Sequence, residues 1–189
     1  MEREILLTGV GGQGVQLAAR ILASAAALED RYVMMLGVYG GSMRGGNTDS
    51  TVVVGDAPLD APPIVSHAWS ALVMHHQFWQ PIRERLRPHA VVVVNSSIFE
   101  GDVDGAAHRV FEVPATALAA QLGNAMAASM VATGAFARLT GLVRLDSLLD
   151  SLRESLPSYR RKLLELNERA LRAGFDSVSR VAAPAWQAG

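Results

Sequence analysis

Cysteine is absent from all 189 residues. Without a thiol, the chain supplies no thiolate nucleophile, no disulfide, no cysteine zinc site and no cysteine-bound iron–sulfur cluster. Lysine is nearly absent too: Lys162 is the only one, in a stretch with the pattern of an outer helix. Schiff-base chemistry, including that of pyridoxal phosphate, would have to use that single residue. No charge of one sign dominates, since 17 basic and 18 acidic residues leave a net charge of −1. A nucleic-acid surface needs a basic excess, so none is expected. Long apolar runs are missing as well. The most apolar stretch, residues 125–143, is broken by Gly134 and Arg138, short of the roughly 20 residues a membrane span requires. The start, Met-Glu-Arg-Glu, lacks the positive charge and long apolar segment of a secretion signal. A cytoplasmic protein is expected.

Half of the residues are apolar, enough for one substantial core. The first unit is a strand-like run at 4–10, a glycine turn, a helical pattern at 15–28 and a second apolar run at 31–36. Such β–α–β units predict a mostly parallel sheet. Strands are also expected at 50–54, 71–74, 90–94 and 109–113. A helix is expected over 77–86, stopped by Arg87-Pro88. Beyond Pro114 the pattern turns helical, at 115–122, 125–140, 145–155 and 159–173, with Gly174 in the place of a C-cap glycine. The expected architecture is a Rossmann-like, mostly parallel α/β sheet with helices on both faces and a helical C-terminal third. One domain spans 1–181, and 182–189 is an extended or mobile tail.

Two glycine motifs stand out. Gly9, Gly11 and Gly14 fit G-x-G-x-x-G between a strand and a helix, with Gly12 and Gln13 inside the turn. Backbone N–H groups at such a turn attract anions. Three readings are open: a bare structural turn, an anion site, or a contact with a partner subunit. A dinucleotide site also wants an acidic residue at the end of the second strand. Here that end reads Met35-Leu36-Gly37-Val38, and Asp30 lies before the strand. The second motif, Tyr39-Gly40-Gly41-Ser42-Met43-Arg44-Gly45-Gly46-Asn47, sets one arginine among four glycines. Arginine offers a planar, permanently charged fork for phosphate or carboxylate. A solvated surface loop is the plainer alternative. Both motifs follow strands, so both belong at the same edge of the sheet. The histidines, His67, His75, His76, His89 and His108, lack the spacing of metal ligands. They are expected at surface or packing positions, and neither a metal site nor a catalytic residue is expected.

The residues together resemble the gamma subunit, or gamma domain, of the 2-oxoacid:ferredoxin (acceptor) oxidoreductases. The match runs over 4–175. It rests on Gly9-Val-Gly-Gly-Gln-Gly-Val15, Tyr39-Gly40, Met43-Arg44-Gly45-Gly46 and Ser50-Thr-Val-Val-Val54, then on Val94-Asn95-Ser96, Val113-Pro114-Ala115, Leu122-Gly123-Asn124, Met130–Ala135 and Asn167–Gly174. The chain departs at Gly41-Ser42, where relatives often carry a carboxylate, and at His67-Ala-Trp69-Ser70, where they usually carry an aspartate.

The resemblance implies an enzyme that makes acyl-CoA and carbon dioxide from a 2-oxoacid and coenzyme A. Electrons would pass to ferredoxin or another acceptor. It implies thiamine diphosphate, magnesium and [4Fe-4S] clusters held by alpha, beta and cluster-carrying delta partners, with no cofactor bound firmly by this chain. Candidate anion, coenzyme A or partner-contact residues are Gly9, Gly11, Gly12, Gln13, Gly14, Tyr39, Gly40, Ser42, Arg44, Gly45, Gly46 and Asn47. A free-standing nucleotide-binding protein and a pure scaffold are the alternatives.

Overall fold

The computed structural model describes residues 1–39, 45–156, 161–179 and 182–186. The chain order is β1 (Glu2–Val10), α1 (Val15–Leu28), β2 (Tyr32–Tyr39), β3 (Asn47–Gly55), β4 (Ala68–Val73), a 3-10 turn (His76–Phe78), α2 (Trp79–Arg83), β5 (Leu86–Asn95) and β6 (Arg109–Val113). Then come α3 (Ala115–Gln121), a 3-10 turn (Ala125–Ala127), α4 (Ala128–Thr140), α5 (Leu145–Ser155) and α6 (Arg161–Asp176).

The strands form one sheet in the order β2-β3-β1-β4-β5-β6. β1, β4, β5 and β6 pair in parallel, whereas β3 lies antiparallel between β1 and β2. The expected mostly parallel sheet is therefore present, with one reversed strand. The first β–α–β unit does not join neighbours. The chain leaves β2 and returns at once as β3, which takes the place beside β1.

Two apolar layers flank the sheet, and the helices are shared unequally between them. Ile5, Leu7, Val52, Val54, Leu72 and Val93 face a large core built from α1, α3, α4, α5 and α6. Leu6, Ala71, Val73, Val92 and Val94 face a smaller one closed by Trp79 and Ile82 of α2. α1 shows why a helix forms over 15–28: its buried residues, Val15, Ala18, Ala19, Ile21, Leu22, Ala25 and Ala26, recur on one stripe. α4 is different, being buried on nearly every side. Its apolar composition thus reflects a central position within this chain.

Several boundaries differ from the sequence reading. The helix expected over 77–86 is only one turn of α2, and β5 already begins at Leu86. Pro88 and His89 sit where the β4–β5 register shifts, and His89 has a left-handed φ of 59°. Proline is tolerated in a strand at such an irregularity, because no ladder N–H is needed there. Gly174 does not cap α6 but lies inside it. A Cβ at Gly174 would stand 1.8 Å from the Val131 carbonyl oxygen, and one at Gly134 2.0 Å from that of Leu171. The two glycines let α4 and α6 meet backbone to backbone. The helix expected over 159–173 is placed from Arg161 onward, since 157–160 lie outside the described residues.

The tail also differs, because residues 182–186 are docked. The Ala182 and Ala183 amides donate to the Leu139 carbonyl at 2.9 Å. The Trp186 indole N–H donates to the Leu142 carbonyl at 3.0 Å, and the Arg31 guanidinium lies over its ring at 4.1 Å. Ala183 and Ala185 are buried.

His108 is buried edge-on to Trp79, with ring centroids 6.2 Å apart. Burial holds its pKa below the usual histidine value of 6.5. His75 is lowered likewise, first by burial and then by neighbouring His76. In the unfolded chain both protonate near 6.5, so the unfolded state binds more protons as pH falls below that value. Stability is therefore full above about pH 6.5 and declines below it. Urea midpoints are expected to fall between pH 7.5 and pH 5.5, with a shallower slope in His108→Gln. Equal slopes in both proteins would show that His108 does not carry the effect.

Candidate functional site

The first glycine motif closes the C-terminal end of β1. The Gln13 amide donates to the Val10 carbonyl at 3.0 Å, and the Val10 amide donates back to Gln13 Oε1 at 2.8 Å. Gln13 thus locks the turn with its own side chain. Gly12 has φ 102° and Gly14 φ 79°, values that only glycine adopts without cost. Gly14 is the N-cap of α1 and offers no side-chain cap, and the first turn carries no acidic residue. The opening N–H groups of α1 therefore have no side-chain acceptor from the cap. Gly9 is needed for space: a Cβ there would meet Gln13 Oε1 at 2.7 Å, Val15 Cγ2 at 2.9 Å and Met74 Cβ at 3.0 Å.

The second motif lies directly beside the first. The Gly11 amide donates to the Gly46 carbonyl at 2.8 Å. Gly45 has a left-handed φ of 77°. Tyr39 ends β2 and Asn47 begins β3, so the second loop is the tip of the β2–β3 hairpin. Gly40, Gly41, Ser42, Met43 and Arg44 lie outside the described residues. The structure thus joins the two motifs at one edge of the sheet, as the strand order in the sequence led one to expect.

Some residues at this edge were missed by the sequence reading. Gln16 bridges α1 to β3: its Nε2 donates to the Asp49 carbonyl at 2.7 Å, and its Oε1 accepts from Ser50 Oγ at 2.8 Å. Asp49 accepts from Thr8 Oγ1 at 2.6 Å and from Asn47 Nδ2 at 2.8 Å. Asn47 therefore spends its amide inside the hairpin base. A carboxylate at the start of a strand that continues Ser-Thr-Val-Val-Val was the available signal for Asp49.

A cleft opens next to the first turn. It holds about 200 Å³ and is lined by Gln13, Met74, Ile98, Thr116, Ala125, Met126 and Ala128, mostly with apolar atoms. The lining comes from the segments after β1, β4 and β5, from the first turn of α3 and from the start of α4 with the turn before it. From β1 the chain crosses towards β2, and from β4 it runs the other way to β5 and β6. Crevices at such a divergence are the usual ligand sites of open α/β sheets. The second-strand acid of a dinucleotide site is absent, because β2 ends in Val38 and Tyr39. Asp30 stands at the far end, beyond α1. Among the described residues, no group of three or more histidine, aspartate or glutamate side chains is placed to hold a metal.

Comparison with known proteins bears on the family and the fold. The family model described as pyruvate ferredoxin/flavodoxin oxidoreductase matches residues 4–177. The 2-oxoglutarate synthase subunit KorC of Methanocaldococcus jannaschii is 31% identical over 160 residues, covering 83% of this chain and 85% of the relative. The ketoisovalerate oxidoreductase subunit VorA of Methanothermobacter thermautotrophicus is 29% identical, but the match covers 93% of this chain and only 36% of that longer one. The crystal structure of the keto/oxoacid ferredoxin oxidoreductase gamma subunit from Geobacter sulfurreducens superposes with a TM-score of 0.78 at 26% identity, over 93% of this chain and 95% of that one. With both glycine motifs joined at one sheet edge and the match running through all six strands and into α6, the chain belongs to the pyruvate ferredoxin/flavodoxin oxidoreductase family, as a gamma-type subunit of these multi-subunit enzymes.

Proposed function

We propose that this chain is the gamma subunit of an enzyme that converts a 2-oxoacid and coenzyme A into acyl-CoA and carbon dioxide, with electrons passing to ferredoxin or another acceptor. Its role is assembly, together with one side of the coenzyme A site. The chemistry on the 2-oxoacid belongs to thiamine diphosphate and iron–sulfur clusters in the alpha, beta and delta partners. The composition of the chain supports that division. The chain has no thiol to hold a cluster.

The hydrogen bond between Gly11 and Gly46 carries the reading, because it sets the two glycine motifs side by side. The uncapped start of α1 offers N–H groups to an anion, and the sequence between β2 and β3 contains one permanent positive charge, Arg44. A phosphate or carboxylate of coenzyme A suits such a site. The cleft beside it accepts an apolar portion of a ligand. KorC and VorA differ in the 2-oxoacid of their names, which suits a subunit that does not read the substrate side chain.

The test is Arg44→Ala in the whole complex. A hydrogen bond to a charged partner contributes about 1.5–3 kcal/mol, so the apparent KM for coenzyme A is expected to rise roughly tenfold or more. The KM for the 2-oxoacid and the subunit composition are expected to stay the same. An unchanged coenzyme A requirement, or a complex that falls apart, would refute the role of Arg44 in binding.

A further inference from the structure

We infer that the cleft beside the first glycine turn recognises an uncharged carbonyl oxygen on an alkyl chain, with Gln13 and Thr116 as its two hydrogen-bond donors. The proposed function above supplies only the identity of that ligand, the amide-bearing arm of coenzyme A as distinct from its phosphates. The donors themselves are fixed by hydrogen bonds within this chain.

A side-chain amide can be turned either way, so its orientation comes from its partners. At Gln13 the partner is the Val10 N–H, which can only donate. Oε1 therefore accepts there at 2.8 Å, and the Nε2 amino group is left at the other end. Among the described residues it has no acceptor. Thr116 follows in two steps. Its backbone N–H donates to Asn95 at 3.1 Å, so the atom it meets is Oδ1. Asn95 Nδ2 is then the atom that donates to Thr116 Oγ1, at 2.8 Å. The hydroxyl oxygen is the acceptor in that bond, so its own proton is left for another group. Asn95 is 1% exposed and cannot turn to solvent, which makes it a positioning residue for the hydroxyl.

Both donors belong to residues that line the same cleft of about 200 Å³. The rest of the lining is apolar, from Met74, Ile98, Ala125, Met126 and Ala128, and among the described residues no charged side chain joins it. This combination selects the ligand class. Two donors without a cation suit a neutral carbonyl oxygen. A carboxylate or phosphate would lose hydration in apolar surroundings, with no opposite charge to offset the loss. A plain hydrocarbon would leave both donors without an acceptor, which costs as well. Met74 is buried and Met126 is 65% exposed, so the apolar lining runs from the floor of the cleft to its mouth. Their thioether side chains adapt readily to a flexible chain.

The test titrates pantetheine, which carries two amides and no phosphate, into the full-length chain under reducing conditions. The readout is the methionine methyl NMR signals, assigned with Met74→Leu and Met126→Leu. The Met74 and Met126 methyls are expected to shift saturably, and those of Met34 and Met35 on β2 to stay. Gln13→Glu keeps an oxygen for the Val10 N–H but removes the donor, and is expected to weaken binding about tenfold or more. Thr116→Val is expected to weaken it about threefold to tenfold, the usual range for one hydrogen bond. Thr116→Ser restores the hydroxyl and is expected to bind within about twofold of wild type. Pantetheine that moves neither methyl, or that binds Gln13→Glu and Thr116→Val as tightly as wild type, overturns the assignment. Adenosine 3′,5′-bisphosphate shifting the same two methyls also overturns it, because the phosphate end would then occupy the cleft. Neither result touches the proposed function, which Arg44→Ala tests separately. Conversely, pantetheine binding as expected while Gln13→Glu leaves the KM for coenzyme A of the whole complex unchanged refutes the coenzyme A reading and leaves the carbonyl site standing.

Discussion

Replacing Gly174 by alanine is expected to cost about 3 kcal/mol of stability or more, although alanine is the better helix former. In an exposed helix the same change stabilises by about 1 kcal/mol. The sign reverses here because the new methyl would stand 1.8 Å from the Val131 oxygen, 2.6 Å from its carbonyl carbon and 2.9 Å from its Cα. All three are backbone atoms of α4, so no side chain can turn away. α6 must move out by more than an ångström, and Ala170 and Leu171, both fully buried, move with it. Overpacking alone costs about 1–3 kcal/mol, and losing the contact between two helices adds to that. Urea unfolding of Gly174→Ala and of Arg172→Ala checks this, because Arg172 lies in the same helix but is exposed. The midpoint of the first is expected to fall sharply and that of the second to stay within experimental error. A Gly174→Ala midpoint at or above wild type would show that the helices stand farther apart.

The second large effect is expected at Phe136. This ring is fully buried in α4 and meets Trp69 of β4 edge to face, with centroids 6.3 Å apart and planes at 75°. Trp69 in turn carries the Arg3 guanidinium over its ring at 5.0 Å. Phe136 therefore ties the central helix to the middle of the sheet. Phe136→Ala is expected to cost about 3–5 kcal/mol, from lost transfer energy and from the cavity left behind. In a domain this size, 1 kcal/mol shifts Tm by about 2–4 °C, so a drop on the order of 10 °C is expected by calorimetry. Phe136→Leu keeps most of the volume and is expected to lose less than half as much. Equal losses for both would mean that the edge-to-face contact, and not the volume, dominates.

The sequence carried the strands as runs of β-branched residues and the helices as apolar stripes, because both periods are local. It did not carry the place of β3. A hairpin partner and a crossover partner look alike along the chain, and only pairing decides that β3 enters antiparallel between β1 and β2. β5 began earlier than expected because Pro88 stops a helix and also fits a strand irregularity, and the sheet chose the second. Ala182–Trp186 looked unstructured for want of any period, yet a few hydrogen bonds and two buried alanines dock it.

At the candidate site, the glycine motifs were legible because a turn with φ above zero leaves its mark in residue type. The roles of Gln16 and Asp49 were not, since each is defined by a partner distant in the chain: Asp49 and Ser50 for Gln16, and Thr8 for Asp49. By itself, then, the sequence determined what depends on neighbours a few residues apart. Those features are an α/β chain without thiols, two glycine-rich turns after strands and the motif set of a 2-oxoacid oxidoreductase gamma subunit. Tertiary structure decided what depends on surfaces meeting. It brought the two turns into contact through Gly11 and Gly46, turned Gly174 from a helix stop into a helix contact, buried α4 within the chain and left Tyr32, Leu36 and Val38 of β2 exposed. Burial and pairing are sums over the whole chain, and no local stretch contains them.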